Sequence, residues 1–402
     1  MSRTLIVSAV FPPEPVVSAS LSRDIAHELA KRNDVVVLCP KPTRPHGFKF
    51  SSMYESKNHK VIRLNSYTCS ACNILGRLWE SYSFGTHCAN YIKSNSKDLD
   101  CIYLNAWPLF SQYLIVKTAK RLNIPCVIHV QDIYPESLIN KLRFAKSLFF
   151  KILLPIDVYV LKNSTAVLCI SDNMKRTLVS TRNISPEKAI VVTNWQDEKA
   201  FIHFRNLKVN DKENLSAPFT FMYLGNNGPL AGVELLIESF VKANIPNSKL
   251  VIAGTGSRTN ACIELAKNYK ARNIEFIPVP EGMVPSIQDR ADVMLLPVKK
   301  GGALSSIPSK LPAYMFSAKA IIGSLDLESD TAKSIIKAGC GIVVEPENKE
   351  SLMKAMIESS QWNRDLLKSK GKAGFSYAMQ TFSKKANLPK VISLIENVCY
   401  GT

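Results

Sequence analysis

What most constrains this chain is the kind of apolar run it repeats. Six short runs rich in β-branched residues, "RTLIVSAV" (3–10), "DVVVLCP" (34–40), "CIYLNA" (101–106), "PCVIHV" (125–130), "AVLCIS" (166–171) and "AIVVTN" (189–194), are continuous rather than alternating. Strands of that kind are buried on both faces, which points to a parallel sheet covered by helices. Helical patterns such as "SLSRDIAHELAKR" and "LFSQYLIVKTAKRL" lie between them. The rhythm breaks over 195–218, a polar stretch with no clear period. It restarts with "FTFMYLG" (219–225), "KLVIAG" (249–254), "IEFIPV" (274–279), "ADVMLLPV" (291–298), "AIIGSL" (320–325) and "GIVVEP" (341–346). Two successive series predict an α/β chain of two Rossmann-like, doubly wound domains facing an interdomain cleft. The expected domains are 1–200 and 218–385, joined by a linker over 201–217. From about Ser351 the chain reads as helices only, with 386–402 as a terminal helix crossing back to the first domain.

Composition narrows the partners. With 51 basic against 33 acidic residues the chain carries +18, which favours polyanions: nucleic acid, anionic lipid head groups or phosphorylated substrates. Aromatic-plus-basic signatures of the common nucleic-acid modules are missing, so nucleic acid is not an expected partner. Ten cysteines are scattered, most of them in strand-like runs where cysteine acts as a small hydrophobe. "CSAC" (69–72) has the spacing of half a zinc site, but no second pair follows, and a solvated helix start is the better reading. No signal peptide is apparent, so reduced thiols in the cytoplasm are expected. The most apolar helical stretch, "FAKSLFFKILLPIDVYVLK" (144–162), is broken by lysines, Pro155 and Asp157 and falls short of a membrane span. It reads either as a core helix kinked at Pro155 or as an amphipathic surface lying on a membrane. The nearby cluster Lys141, Arg143, Lys146 and Lys151 favours the membrane surface.

The residues beyond the strand ends carry the chemistry, because ligands of open parallel sheets bind there. After the first strand, "FPPEPVVSAS" (11–20) leads into a helix that Ser18 or Ser20 is placed to cap. No GxGxxG follows it, which argues against a dinucleotide cofactor. "QDIYPES" (131–137) sets Asp132 and Glu136 near the cleft, with helix capping as the plain alternative for Asp132. In the second half, "LGNNGPLAG" (224–232) and "AGTGSRT" (253–259) are glycine turns opening helices, a cradle of backbone amides for phosphate. Arg258 reads mainly as a solvated arginine. "GGALSSIPSKLPAYM" (301–315) adds hydroxyls from Ser305, Ser306 and Ser309 and one cation, Lys310, at a helix mouth. The only Asp-x-Asp, "DLD" (98–100), precedes a strand and so points away from the ligand edge. No metal is expected, and the charge of a leaving diphosphate is left to lysine, helix termini and hydroxyls.

Over nearly the whole chain these segments resemble the retaining, two-Rossmann-domain (GT-B) glycosyltransferases of family 4. "FPPEP", "VQDIYPES", the run 169–201 with Asn194 at its hinge, "YLGNNGPLAGVELLIESF", "VIAGTGS" and "SIPSKLPAYMFSAKAIIGSLDLESDTAKSI" carry the likeness. The wording is closest to the bacterial O-antigen and capsule branch, including N-acetylfucosamine transferases. The resemblance implies transfer of a sugar, with retention, from a nucleoside-diphosphate donor, foremost UDP, to a polyprenyl-diphosphate-linked sugar. It implies no cofactor and a peripheral place on the inner face of the cytoplasmic membrane, against anionic lipid. By the same likeness Lys310 and the amides of Gly225, Asn226 and Asn227 face the diphosphate, with Ser305, Ser306 and Ser309 as donors. Gly254, Gly256, Val279 and Met283 surround the nucleoside. Asp132 and Glu136 position or deprotonate the acceptor, with Glu14, Ser18 and Gln131 beside it. Three places depart from the family pattern: Ser305 and Ala313 stand for its glutamates, Asn226 and Ala231 for its arginine and lysine, and Gln131 for its histidine. Two rival readings stay open, a two-domain UDP-sugar 2-epimerase and a transferase-like scaffold without activity.

Overall fold

The computed structural model describes residues 2–44, 50, 53–69, 74–106, 108–139, 146–207, 217–229, 231–304 and 307–401. They form two compact units, one of residues 1–194 with 387–402, the other of residues 195–386.

The first unit is built on seven parallel strands: β1 Arg3–Val7, β2 Asp34–Pro40, β3 Lys60–Leu64, β4 Cys101–Ala106, β5 Cys126–Val130, β6 Ala166–Cys169 and β7 Ala189–Val191. Their order is β3-β2-β1-β4-β5-β6-β7, so the winding reverses between β1 and β4. The central strands are buried along almost their full length, as continuous apolar runs require. One edge strand, β3, is missing from the sequence reading. Its residues, "KVIRL", are only half-buried, and an edge strand with two cations lacks the apolar signal of an inner one. His129 of β5 lies in the core with its Nδ1 2.7 Å from the Tyr103 hydroxyl of β4. The last helix, Lys384–Tyr400, packs on this unit. Ser2 and Tyr400 both donate to Asn33 Oδ1, and Asn33 Nδ2 donates to Glu396.

The second unit has six parallel strands: β8 Phe219–Leu224, β9 Ser248–Ala253, β10 Ile274–Ile277, β11 Val293–Pro297, β12 Ala320–Ser324 and β13 Gly341–Val344. Their order, β10-β9-β8-β11-β12-β13, reverses between β8 and β11. Apolar clusters cover both faces of the sheet. The stretch read as a polar linker without a clear period opens on a helix, Lys199–Leu207. Phe201 is buried there against Phe316, and Arg205 lies 4.0 Å from the centre of the Phe375 ring. Two or three apolar anchors secure so short a helix, too few to give a period in the sequence. Just before it, Gln196 N donates to Phe382 O, and the Glu198 carboxylate accepts from the amides of Lys384 and Lys385.

Pro155 lies inside the helix Lys146–Asn163. Lys146, Leu148, Lys151 and Ile152 on it are exposed, while Leu153, Asp157 and Val160 are buried. Lys141 and Arg143 lie outside the described residues. No described helix is long and apolar enough to cross a membrane.

Candidate functional site

In the second unit the loops after β8 and β11 diverge where the sheet order reverses, the usual ligand position in such sheets. Two tyrosines fix the end of β8. The Tyr314 hydroxyl donates to Leu224 O at 2.9 Å and accepts from Leu224 N at 3.0 Å, and the Tyr223 hydroxyl donates to Asn226 O at 2.7 Å. Neither tyrosine stands out in the sequence, since an aromatic in an apolar run reads as core.

The loops after β8 and β9 are zipped together by their own backbone: Gly225 N to Ala253 O, Asn227 N to Thr255 O, Arg258 N to Asn227 O. This corrects the expected amide cradle at two of its three diphosphate positions, Gly225 and Asn227. The amides of Gly225 and Asn227, and that of Gly254 toward Ile277 O, are consumed within the fold. Glycine is needed for closeness instead. A Cβ on Gly254 (φ +115°) would fall 2.3 Å from Gly225 O, and one on Gly256 would fall 2.6 Å from the Asn227 carbonyl. Asn227 is fully buried, with Nδ2 donating to Thr259. Arg258 is exposed, as expected, and pairs with Glu234 at 2.8 Å.

Lys310 opens the helix Lys310–Phe316 and crosses directly over the β8 loop. A Cβ on Gly225 would lie 2.1 Å from its Cε, and its Nζ sits 5.3 Å from the centre of the Tyr223 ring. Burial lowers its pKa below the ordinary lysine value. Among the described residues no carboxylate forms an ion pair with it. A half-buried ammonium supported only by an aromatic face is costly unless an anion completes it. Ser309 takes the N-cap position of that helix without a side-chain cap bond. Met283 is exposed and Val279 half-buried, beyond β10. Ser305 and Ser306 lie outside the described residues.

In the first unit a cavity of about 290 Å³ opens at the carboxyl ends of β1, β4 and β5, again where the sheet order reverses. Ser18, Asn105, Gln131 and Asp132 line it, with Arg44 and Arg77 on its wall. Sequence reasoning places Ser18, Gln131 and Asp132 here but misses the other three. Asn105 ends a strand that reads as core, and the arginines come from segments with no periodicity. Both arginines pair with the buried Glu80, at 3.2 and 2.8 Å, and burial depresses the Arg44 pKa. Ser18 lies inside the helix Val17–Leu29, whose N-cap position is Val16 with no side-chain cap, so neither Ser18 nor Ser20 caps it. Asp132 is not a helix cap, because the next helix starts at Glu136.

Two carboxylates expected near the acceptor are already engaged. Glu14 is buried and accepts from the amides of Phe11, Thr43 and Arg44. Glu136 is held at both oxygens by Arg182, at 2.8 and 2.5 Å. Arg182 is 1% exposed and also donates to Asp157 and to the Tyr134 carbonyl. Its charge is secured despite burial, since the hydrogen bonds it donates to Glu136 and Asp157 raise its pKa. Desolvation in turn pushes Asp157 up to about 6. The Arg182 network reaches the loop after β5 through the Tyr134 carbonyl, and Asp132 of that loop lines the cavity. Among the described residues no group of three metal-binding side chains comes together, and "DLD" sits at the amino edge, Asp100 accepting from Arg3 N.

Residues 19–199 match the model described as Glycosyltransferase Family 4, and residues 205–373 the model for glycosyl transferases group 1. No curated protein sequence matches the chain. Its fold is similar to that of sucrose-phosphate synthase from Thermosynechococcus elongatus (TM-score 0.77, 14% identity, both chains covered in full). It is similar also to a glycosyltransferase from Rickettsia africae (TM-score 0.71, 16% identity, covering 100% of this chain and 99% of that one). A third is Anabaena Alr3699/HepE in complex with UDP (TM-score 0.66, 13% identity, both chains covered in full). At such identities the likeness is one of fold.

Proposed function

Because the chain belongs to the family 4 glycosyltransferases, its first half matching that family and its second the group 1 transferases, we propose that it moves a sugar, N-acetyl-L-fucosamine the first candidate, from a nucleoside-diphosphate donor to a polyprenyl-diphosphate-linked sugar. The reaction proceeds with retention at the anomeric carbon and without a metal ion, in the building of a bacterial O-antigen or capsule. The observation that carries this reading is Lys310, a half-buried cation with no described carboxylate partner, poised over the β8 loop at the sheet reversal. A diphosphate beside it completes the charge, and Lys310 stabilises the negative charge that grows as the sugar leaves. UDP is the first choice of nucleotide, in line with the UDP held by the Anabaena protein of the same fold.

No covalent nucleophile is invoked. The departing diphosphate guides the acceptor hydroxyl to the same face of the sugar, and Asp132 orients that hydroxyl or takes its proton. Glu136, clamped by Arg182, holds the loop rather than meeting substrate. Attachment to the inner face of the cytoplasmic membrane is supported by the exposed Lys146, Leu148, Lys151 and Ile152 on one helix.

The test is a panel of UDP-, GDP- and dTDP-sugars assayed with a prenyl-diphosphate sugar acceptor. One donor should be turned over only when acceptor is present; consumption of donor alone would indicate an epimerase. Lys310→Ala should lower turnover at least about ten-fold, the equivalent of about 1.4 kcal/mol, with the fold intact. Near-normal turnover would remove Lys310 from the mechanism.

A further inference from the structure

The second unit holds a cavity of about 470 Å³, lined by Arg205, Ala318, Lys368, Lys372, Phe375 and Ser376. Ala318 lies two residues before β12, so the cavity is at the amino edge of the sheet. Four of the lining residues share one face of the helix Arg364–Thr381, spaced three and four apart. Gly371 of that helix lets the turn before β12 press in, since a Cβ there would fall 1.9 Å from Ala318 O. The same turn ends the helix Lys310–Phe316, whose C-cap is Ser317. Lys310 and the cavity floor thus stand at opposite ends of one seven-residue helix, and the diphosphate position does not extend to this cavity.

The polar side chains of the wall are cations and one hydroxyl, with no carboxylate among them. Elsewhere in the unit Arg258, Arg290 and Arg364 pair with Glu234, Glu275 and Asp292. Arg205 forms no ion pair or hydrogen bond among the described residues, and its guanidinium lies 4.0 Å from the centre of the Phe375 ring. Stacking occupies the face of a guanidinium and leaves its N–H edge, a planar fork that matches two phosphate oxygens. Lys372 also lacks a described ion pair, and the Ser376 hydroxyl a described hydrogen bond. A lysine face on an exposed helix is ordinarily just solvated. Here a fork held flat by an aromatic ring faces the same cavity as a second uncompensated cation.

Two such cations match a dianion. A phosphomonoester carries nearly two negative charges at neutral pH, whereas a carboxylate or a phosphodiester carries one. The volume lies within the range of ligand pockets, roughly 300–1,000 Å³, and leaves room for the organic part of an ester beside Phe375. We propose that Arg205, Lys372 and Ser376 form a second anion site that binds a phosphomonoester. Arg205 donates to two phosphate oxygens, Lys372 supplies the second positive charge, and Ser376 donates to the remaining oxygen.

Saturation-transfer NMR of the full chain with phenyl phosphate tests this, with phenol as the uncharged control. Phenyl phosphate should receive saturation and phenol should not. Arg205→Gln and Lys372→Gln should each weaken binding at least about ten-fold, the loss of one charge-assisted hydrogen bond. Lys337→Gln, which removes an exposed lysine elsewhere on the unit, should leave the affinity at its wild-type value, as should Lys310→Ala. Arg205 also packs on Phe375, so if Arg205→Gln melts early the exposed Lys372→Gln decides alone. No binding, equal binding of phenol, an equal loss in Lys337→Gln, or a loss confined to Lys310→Ala overturns the site. Vesicles of phosphatidic acid, whose head group is itself a phosphomonoester, separate the two sources of such a ligand. Displacement of phenyl phosphate by the vesicles, with their retention of the protein weakened in Lys372→Gln, assigns the site to a lipid head group. Persistence of the bound ester assigns it to a soluble one.

Discussion

At the scale of single residues, Lys310 and His129 make opposite uses of burial. Burial lowers the Lys310 pKa below 10.5, and a diphosphate beside it would restore it. UDP binding should therefore take up protons, increasingly so as the pH rises toward 10.5, since the free protein then holds fewer of them. Calorimetry in two buffers of different ionisation enthalpy reads this uptake, and Lys310→Met should abolish it. His129 is kept neutral in the core, its pKa pushed down to about 4 by desolvation. The unfolded chain binds a proton there below its ordinary value of 6.5, so stability is present above that value and is lost as the pH falls toward 4. The first unit should lose about 2 kcal/mol between pH 7 and pH 5. Urea midpoints check this, and His129→Leu should flatten the slope while lowering stability at both pH values. Lys310 is legible in the sequence because lysine is conspicuous among serines and prolines beyond a strand. The fate of Glu136 is not, since its partner Arg182 lies 46 positions on in a helix with nothing to mark it as buried.

At the scale of elements, the loops after β8 and β9 act as one piece. Their glycines permit backbone to touch backbone, and the amides expected to cradle phosphate hold the loops to each other. Gly254→Ala would bring a Cβ to 2.3 Å from Gly225 O in a left-handed conformation, costing about 3 kcal/mol from strain and overpacking together. The second unit should melt earlier, and UDP affinity should fall with it as the Gly225 segment beneath Lys310 is displaced. Calorimetry of unfolding and of binding, on one sample, reads both. The inner strands are legible because burial on both faces writes itself as continuous apolar runs. Edge strand β3 and the helix Lys199–Leu207 are not, for their stability comes from a few contacts made after the sheet has assembled. Asn105 is hidden for a related reason. Its strand reads as core, and only the order β1-β4-β5 brings its last polar residue beside Gln131.

At the scale of the whole molecule, the excess of +18 finds an outlet in the exposed lysines beside Leu148 and Ile152. Vesicles containing phosphatidylglycerol should retain the protein at low salt and release it at high salt. Replacing Lys146 and Lys151 by neutral residues should weaken partitioning about thirty-fold, at roughly 1 kcal/mol per lysine; undiminished sedimentation with vesicles would discount this surface. The return of residues 387–402 to the first unit bears on how the chain comes apart. The polypeptide passes between the units twice, near 194 and near 386, and Gln196 and Glu198 clasp the residues just before the second passage. One proteolytic nick at either passage leaves the other covalent. Separation of the halves thus needs two cuts, or a cut followed by detachment of the last helix. A protease time course should accordingly show nicked but undivided protein first, and free halves only after a lag.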